Sequence, residues 1–294
     1  MTLALLFPGQ GSQAVGMGAA LADAFQSARD VFAEVDEALG QKLSVLMREG
    51  PEDQLTLTEN AQPALMAVSM AVLRVLEREG GIELHKHAAF VAGHSLGEYS
   101  ALAAAGTFSL PDTARLLKLR GQAMQKAVPV GEGAMAALLG LDLPVAQEVA
   151  AEAAQGEVCS AANDNAPGQV VVSGHRAAVE RAIALAPSRG GKRGILLPVS
   201  APFHSSLMQP AADAMAEALS RVTVAAPAVP VVSNVRAEAV SDPEAIRQLL
   251  VQQVTGSVRW RESVQWMAGQ GVTEFWEIGA GKALSGMIRR IAKE

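Results

Sequence analysis

The pentapeptide Gly93-His94-Ser95-Leu96-Gly97 has the G-x-S-x-G spacing of a nucleophile elbow. A serine bracketed by glycines can sit in a strained turn with its Oγ exposed, because small neighbours let the chain pass close behind it. The flanking residues agree. The apolar run 88–92 predicts a buried strand and 98–105 predicts a helix, and strand–turn–helix is the setting the motif requires. Backbone N–H groups at the start of that helix would face the serine and offer donors to a developing oxyanion. The chemistry this favours is attack on an acyl carbon. The plainer alternative is a glycine-bracketed turn whose serine only caps the helix.

A serine nucleophile needs a general base. Five histidines are available. His85 and His87 precede the elbow strand and so belong at the wrong end of the sheet. His94 adjoins the serine, but in a tight turn its side chain should point elsewhere. His175 opens a helix and reads as a cap or surface residue. His204 follows a strand, lies in the proline-containing loop Ser200-Ala201-Pro202-Phe203-His204 and precedes a helix. That places it with Ser95 at the carboxyl ends of strands, where open α/β sheets bind ligands; a structural histidine is the alternative. A triad in hydrolase order would need an acid between the two, and Asp164 is the loop acid to test. The pattern favours a Ser95–His204 dyad with the imidazole oriented by a neutral carbonyl.

Two other chemistries are weaker. One cysteine, scattered histidines and no H-E-x-x-H give no expected metal site. Gly9-Gln10-Gly11-Ser12-Gln13-Ala14 fits G-x-G-x-x-A after a strand, but a dinucleotide site also needs a second strand ending in an acid about 20 residues on. Asp30, Glu34 and Asp36 fall instead in a helical stretch, and Pro8 is awkward before Gly9. The loop reads better as backbone beside an active site, its N–H groups facing a ligand. No permanently bound cofactor is expected.

The elements that must position these groups alternate. Residues 3–7 form a short apolar strand, and 28–39 and 63–78 have helical periodicity. Ser109 caps a helix running toward residue 128, with Asp112 in its first turn. From 133 the order is strand 134–139, helix 144–154, strand 158–162, a turn-rich loop 163–168, strand 170–173, helix 177–186 and strand 194–197. This β-α-β-β-α-β order is the ferredoxin-like unit. The expected organisation is therefore a large α/β-hydrolase-like domain, residues 1–128 and 197–294, with a ferredoxin-like subdomain inserted at 129–196. A helix at 206–219, a strand at 231–235, a helix opened by a Ser241–Glu244 capping box, a strand at 273–278 and a closing helix to 291 complete the large domain. Strands alternating with helices imply a mostly parallel sheet covered on both faces.

Composition sets the frame. The chain has 294 residues, half of them apolar but only 4% aromatic, so the core must be mostly Ala, Val, Leu and Met. A net charge of -6 without a basic, aromatic-interleaved stretch argues against nucleic-acid binding. Basic residues gather only at Arg189, Lys192 and Arg193, and at Arg289, Arg290 and Lys293. Cys159 reads as a buried, inert thiol. The N-terminal apolar run is too short for a signal peptide, and no apolar stretch reaches spanning length, so a cytoplasmic protein with no membrane partner is expected.

Taken in order, Pro8-Gly9-Gln10-Gly11-Ser12-Gln13, Gly93-His94-Ser95-Leu96-Gly97-Glu98, Arg120, Pro202-Phe203-His204 and the segment around Gln253 resemble the malonyl-CoA:acyl carrier protein transacylase family, over essentially the whole chain. The resemblance implies Ser95 as nucleophile, His204 as base and Gln253 as the residue whose carbonyl holds the histidine. It implies the backbone N–H groups of Gln10 and Leu96 as oxyanion hole, and Arg120 as the residue that binds the malonyl carboxylate. Without the family, Arg120 would read as a solvated helix charge. Phe203 resembles the malonyl-selective form of its motif. Asn163 resembles an active-site loop residue, next to Asp164 where the family more often has tyrosine or an aliphatic side chain. The implied substrates are malonyl-CoA and acyl carrier protein, the implied state is a monomer, and the implied context is fatty acid or polyketide synthesis. A malonate-decarboxylating system, a serine hydrolase and a non-catalytic carrier-docking module are the alternatives.

Overall fold

A computed structural model describes residues 1–199 and 201–293; Ser200, in the loop before His204, and Glu294 lie outside the described residues. Nine strands among those residues form two sheets: β1 (Leu3–Phe7), β2 (Ala88–Gly93), β3 (Gly133–Leu139), β4 (Cys159–Ala166), β5 (Gln169–His175), β6 (Arg193–Leu196), β7 (Val231–Val232), β8 (Ala239–Val240) and β9 (Glu274–Glu277). The first sheet has the order β8-β7-β2-β1-β9. Its pairings are parallel except at the edge, where β8 runs against β7. The second sheet, β4-β5-β3-β6, is antiparallel throughout. The fold is α/β, a mostly parallel sheet with a separate antiparallel one.

β1 shows why the parallel sheet is covered on both faces. Successive side chains of a strand point to opposite sides, and all five residues of β1 are buried. Leu3, Leu5 and Phe7 join a core with Leu65, Met66 and Leu73 of the helix Thr58–Glu79. Ala4 and Leu6 join another with Trp260, Val264 and Met267. Those last three belong to a helix, Trp260–Gly269, absent from the sequence-based expectation although its buried residues 260, 263, 264 and 267 have helical spacing. The antiparallel sheet has its own core, built on Ala136, Leu138, Val149, Val170, Val172 and Val179.

Other departures are local. The helix expected from 63 begins at Thr58, which leaves Pro63 in its second turn. The Ser109 cap is present, its Oγ accepting from the Asp112 N–H at 3.2 Å. In the later helix, Pro243–Thr255, the cap is Asp242 and not Ser241: its carboxylate accepts from the Ala245 N–H at 2.8 Å. The strand expected over 231–235 is only Val231–Val232.

The expected loop at 163–168 is corrected more substantially, because β4 continues through Asn163, Asp164 and Asn165 to Ala166. These turn-forming residues stay extended because the rest of the chain satisfies them. The Val258 N–H donates to the Ala162 carbonyl at 2.8 Å, and the Asp164 N–H donates to the Val258 carbonyl at 3.0 Å. The buried Asp164 carboxylate pairs with Arg261 at 2.8 Å. β4 thereby ties the antiparallel sheet to the chain beneath the parallel one.

Candidate active site

The elbow is built from close backbone packing. Ser95 has φ 54°, in the left-handed region that β-substituted residues avoid. A Cβ on Gly93 would lie 1.8 Å from the Gly97 carbonyl oxygen, and one on Gly97 would lie 2.2 Å from the Phe7 carbonyl oxygen. Only hydrogen fits at either position. The turn is held from outside by Asn234, just beyond β7. Its Oδ1 accepts from the Ser95 N–H at 2.9 Å and its Nδ2 donates to the Gly93 carbonyl at 2.7 Å.

His204 reaches this serine from an unexpected direction. The strand before it, β6, belongs to the antiparallel sheet and not to the parallel one. His204 therefore enters on the chain returning from that sheet, with its own left-handed φ of 56°. Ser95 Oγ lies 2.7 Å from His204 Nε2, and His204 Nδ1 lies 2.8 Å from the Gln253 carbonyl and 3.1 Å from that of Gly256. Two carbonyls can only accept, so Nδ1 carries the proton, and Nε2 is left to accept from the serine hydroxyl. Burial, reinforced by the Arg120 charge, pushes the imidazole down to about 3. It is thus held neutral, the form in which it can take a proton.

Arg120 is not a solvated helix charge: it is 1% exposed. It donates to Gln62 Oε1 and Gln253 Oε1, each at 2.8 Å, and to Ser95 Oγ at 3.2 Å. The Tyr99 ring centroid lies 5.5 Å from its Cζ. No carboxylate among the described residues forms a salt bridge with it, and its buried Nε has no partner among them. A desolvated guanidinium beside a serine hydroxyl is suited to gripping a ligand carboxylate.

These groups border one cavity of about 310 Å³. Gln10, Leu96, Asn163 and Phe203 line it together with Ser95, Arg120 and His204. Among the described residues the backbone N–H groups of Gln10 and Leu96 donate to no protein acceptor. Gln253 stands behind the cavity wall, fully buried, and works from there through its carbonyl and side chain. His94 turns from the Ser95 hydroxyl as expected, yet it lines the same cavity, with Nε2 2.7 Å from Asn165 Oδ1. Asp164, engaged with Arg261, is no third member of a triad. His85 and His87 lie outside the site, in the short helix Leu84–His87. The Nδ1 of His175 takes the Val158 N–H, and burial pushes the Cys159 thiol up to about 11.

The sequence assigns no role to three participants. Gln62 and Asn234 lie far along the chain from the residues they hold, in stretches with no motif. Glu98 directly follows the elbow but carries no pattern of its own. Its carboxylate accepts from the Asn234 N–H at 3.1 Å and from Gln253 Nε2 at 2.7 Å. Burial pushes it up to about 7, against the pull of those donors and of Arg120.

Residues 4–292 match the family model of the acyl transferase domain. The chain is 48% identical over 288 residues to the malonyl CoA-acyl carrier protein transacylase of Escherichia coli strain K12, spanning 98% of this chain and 92% of that one. The chain belongs to the malonyl-CoA:acyl carrier protein transacylase family. It is an acyltransferase. A second member of the family, from Bacillus subtilis, is 47% identical over 290 residues, with 98% and 90% covered. Among solved structures, the acyl-carrier-protein S-malonyltransferase of Bartonella henselae superposes with a TM-score of 0.97 at 60% identity, covering 100% of this chain and 93% of that one. A malonyl-transacylase solved in complex with a type II PKS acyl-carrier protein gives 0.96 at 45% identity, with 100% and 94% covered.

Proposed function

We propose that this chain transfers the malonyl group of malonyl-CoA to the phosphopantetheine thiol of an acyl carrier protein, supplying fatty acid or polyketide synthesis, by a ping-pong route through malonyl-Ser95. The observation that carries the reading is the buried Arg120, without a carboxylate partner of its own among the described residues, 3.2 Å from the Ser95 hydroxyl. Malonyl differs from acetyl by one carboxylate, and a guanidinium can hold that group with geometric as well as charge selectivity.

His204 Nε2 takes the Ser95 proton as Oγ attacks the thioester carbonyl. The tetrahedral oxyanion rests on the Gln10 and Leu96 N–H groups, while Gln253 and Gly256 hold the imidazolium through Nδ1. Collapse expels CoA thiolate, which takes the proton from His204. The carrier thiol then gives its proton to His204 and attacks the ester, and the second collapse returns a proton to Ser95. Arg120 keeps the malonyl carboxylate in place throughout. Phe203, on the cavity wall, crowds a branched malonyl. Asn163 lines the acyl path.

The same reading treats residues 1–128 and 197–294 as an α/β-hydrolase-like catalytic unit. Residues 129–196 form a ferredoxin-like insert, supported by the 4-1-3-2 spatial order of β6, β3, β5 and β4. It takes the protein as a cytoplasmic monomer without a resident cofactor, meeting its carrier transiently through charge.

Intact-mass analysis after mixing with malonyl-CoA tests the reading. One malonyl adduct is expected, lost in Ser95→Ala and discharged by a carrier thiol. No adduct, or one that survives the substitution, sinks it. Discharge to free malonate at the same rate with and without a carrier would point to a hydrolase.

A further inference from the structure

Burying Arg120 raises an electrostatic difficulty. A charge stripped of water needs a counter-charge nearby. The ordinary arrangement, a carboxylate held bidentately, would fill the fork that the substrate must enter. Glu98 is 3% exposed and lies in the first turn of the helix Gly97–Ala104, yet it forms no salt bridge with Arg120. The Gln253 side-chain amide stands between them. Its Oε1 accepts from Arg120 at 2.8 Å, and its Nε2 donates to Glu98 at 2.7 Å.

The orientation of that amide is dictated by its surroundings. Nε2 also lies 3.0 Å from the Ser95 carbonyl and 3.1 Å from Asn234 Oδ1. A half-turn would set an oxygen against three acceptors and an NH2 against a guanidinium. Glu98 is fixed in the same way. One of its oxygens meets the Gln253 amide and the other the Asn234 N–H, both donors, so the ionised carboxylate, which burial confines to pH above about 7, is the form that satisfies them. The amide is polarised along a line from cation to anion, which strengthens both hydrogen bonds.

We propose that Glu98 is a positioning residue for Arg120: acting through Gln253, it balances and aims the guanidinium without placing a second carboxylate on the donors beside Ser95 that the malonyl carboxylate must reach. The proposal rests on the malonyl reading of the site.

The test compares wild type, Glu98→Gln, Gln253→Glu and the double swap Glu98→Gln/Gln253→Glu. The readout is the ratio of kcat/KM for malonyl-CoA to that for acetyl-CoA, with circular dichroism as a folding check. Glu98→Gln sets a donor against a donor and removes the counter-charge. It should lower the ratio by about 10- to 100-fold, with a rise in KM for malonyl-CoA carrying most of the change. The double swap keeps one carboxylate, one amide and the bond between them, but places the carboxylate directly on Arg120. Its ratio should stay low although the protein folds. If Glu98 serves packing alone, Glu98→Gln leaves the malonyl-to-acetyl ratio unchanged; that result, or equal losses for both acyl groups in Glu98→Gln, overturns the proposal. Should Glu98→Gln fail to fold, the pH profile of the wild-type ratio decides: it should fall as pH drops below about 7, where Glu98 is protonated, and a flat ratio overturns the proposal. Wild-type protein that forms no malonyl adduct overturns the underlying reading, whereas a normal adduct with an unchanged ratio in every variant overturns only the role of Glu98.

Discussion

Replacing Arg120 with alanine separates what the guanidinium does for the substrate from what it does for the fold. Three of its N–H bonds go to protein acceptors on Gln62, Gln253 and Ser95. One Nη1–H has no acceptor among the described residues, and the Nη2–H now on Ser95 Oγ is released when Oγ attacks, so two donors become free for a carboxylate. Two charge-assisted hydrogen bonds to malonate, at about 1.5–3 kcal/mol each, amount to about 3–6 kcal/mol, which is a loss of about 10² to 10⁴ in kcat/KM for malonyl-CoA. Acetyl-CoA has no carboxylate and forfeits none of this. The structural cost is separate. Gln62 Oε1 and Gln253 Oε1 lose their buried donor, at about 1–3 kcal/mol each, and that burden falls on both substrates alike. The ratio of the two specificity constants cancels it. The assay is transfer from each thioester to one carrier, followed by carrier mass, with thermal melting alongside. An equal fractional loss for malonyl and acetyl would refute the reasoning and make Arg120 a structural residue.

Three further outcomes are expected. His204 sits at about 3 in the folded protein against an ordinary 6.5; below pH 6.5 the unfolded chain takes a proton that the folded imidazole refuses, so this stabilising contribution is complete above 6.5 and is lost as pH falls toward 3. Denaturant titrations at pH 7 and pH 4.5 should therefore show a smaller drop for His204→Gln than for wild type, and equal drops would contradict the assignment. Gly93→Ala should cost about 3 kcal/mol or more, because its Cβ would meet the backbone of Gly97 at 1.8 Å and of Glu98 at 2.4 Å; Gly269→Ala, with open space around it, should gain about 0.4–1 kcal/mol, and urea midpoints compare the two. Charge reversal at the exposed Lys192 and Arg193 should raise KM for an acidic carrier without changing KM for malonyl-CoA, and unchanged carrier kinetics would remove that patch from the docking surface.

Much of the site was legible because its chemistry is local. A strand, a glycine-bracketed serine and a helix occupy consecutive residues, and steric necessity at Gly93 and Gly97 leaves a signature in residue type. The Ser109 cap was readable for the same reason. What was hidden is long-range. Asn163-Asp164-Asn165 has the composition of a turn, yet Val258, Arg261 and His94 supply partners that keep it extended. The helix Trp260–Gly269 is short, so the helical spacing of its buried residues stands out little in the sequence. His204 does reach Ser95 as its loop position implies, but the strand before it lies in the other sheet, so strand order alone does not account for its place. Burial of Arg120 cannot be read from a helix that also carries Arg115 and Lys118. Asn234 and Gln62 act across more than 50 residues of chain, and no spacing rule reaches that far.

The two residues of the dyad share a backbone state, with φ of 54° at Ser95 and 56° at His204. Left-handed backbone costs a residue with a Cβ roughly 1–2 kcal/mol, and glycine adopts it freely. At His204 that strain is offset by burial and by the bond to the Gln253 carbonyl, but Ser95 has no such return. Breeding this protein for heat resistance alone would draw residue 95 toward glycine, relieving the fold while, on the proposed reaction, silencing it. Only selection that also demands acyl transfer keeps a hydroxyl there.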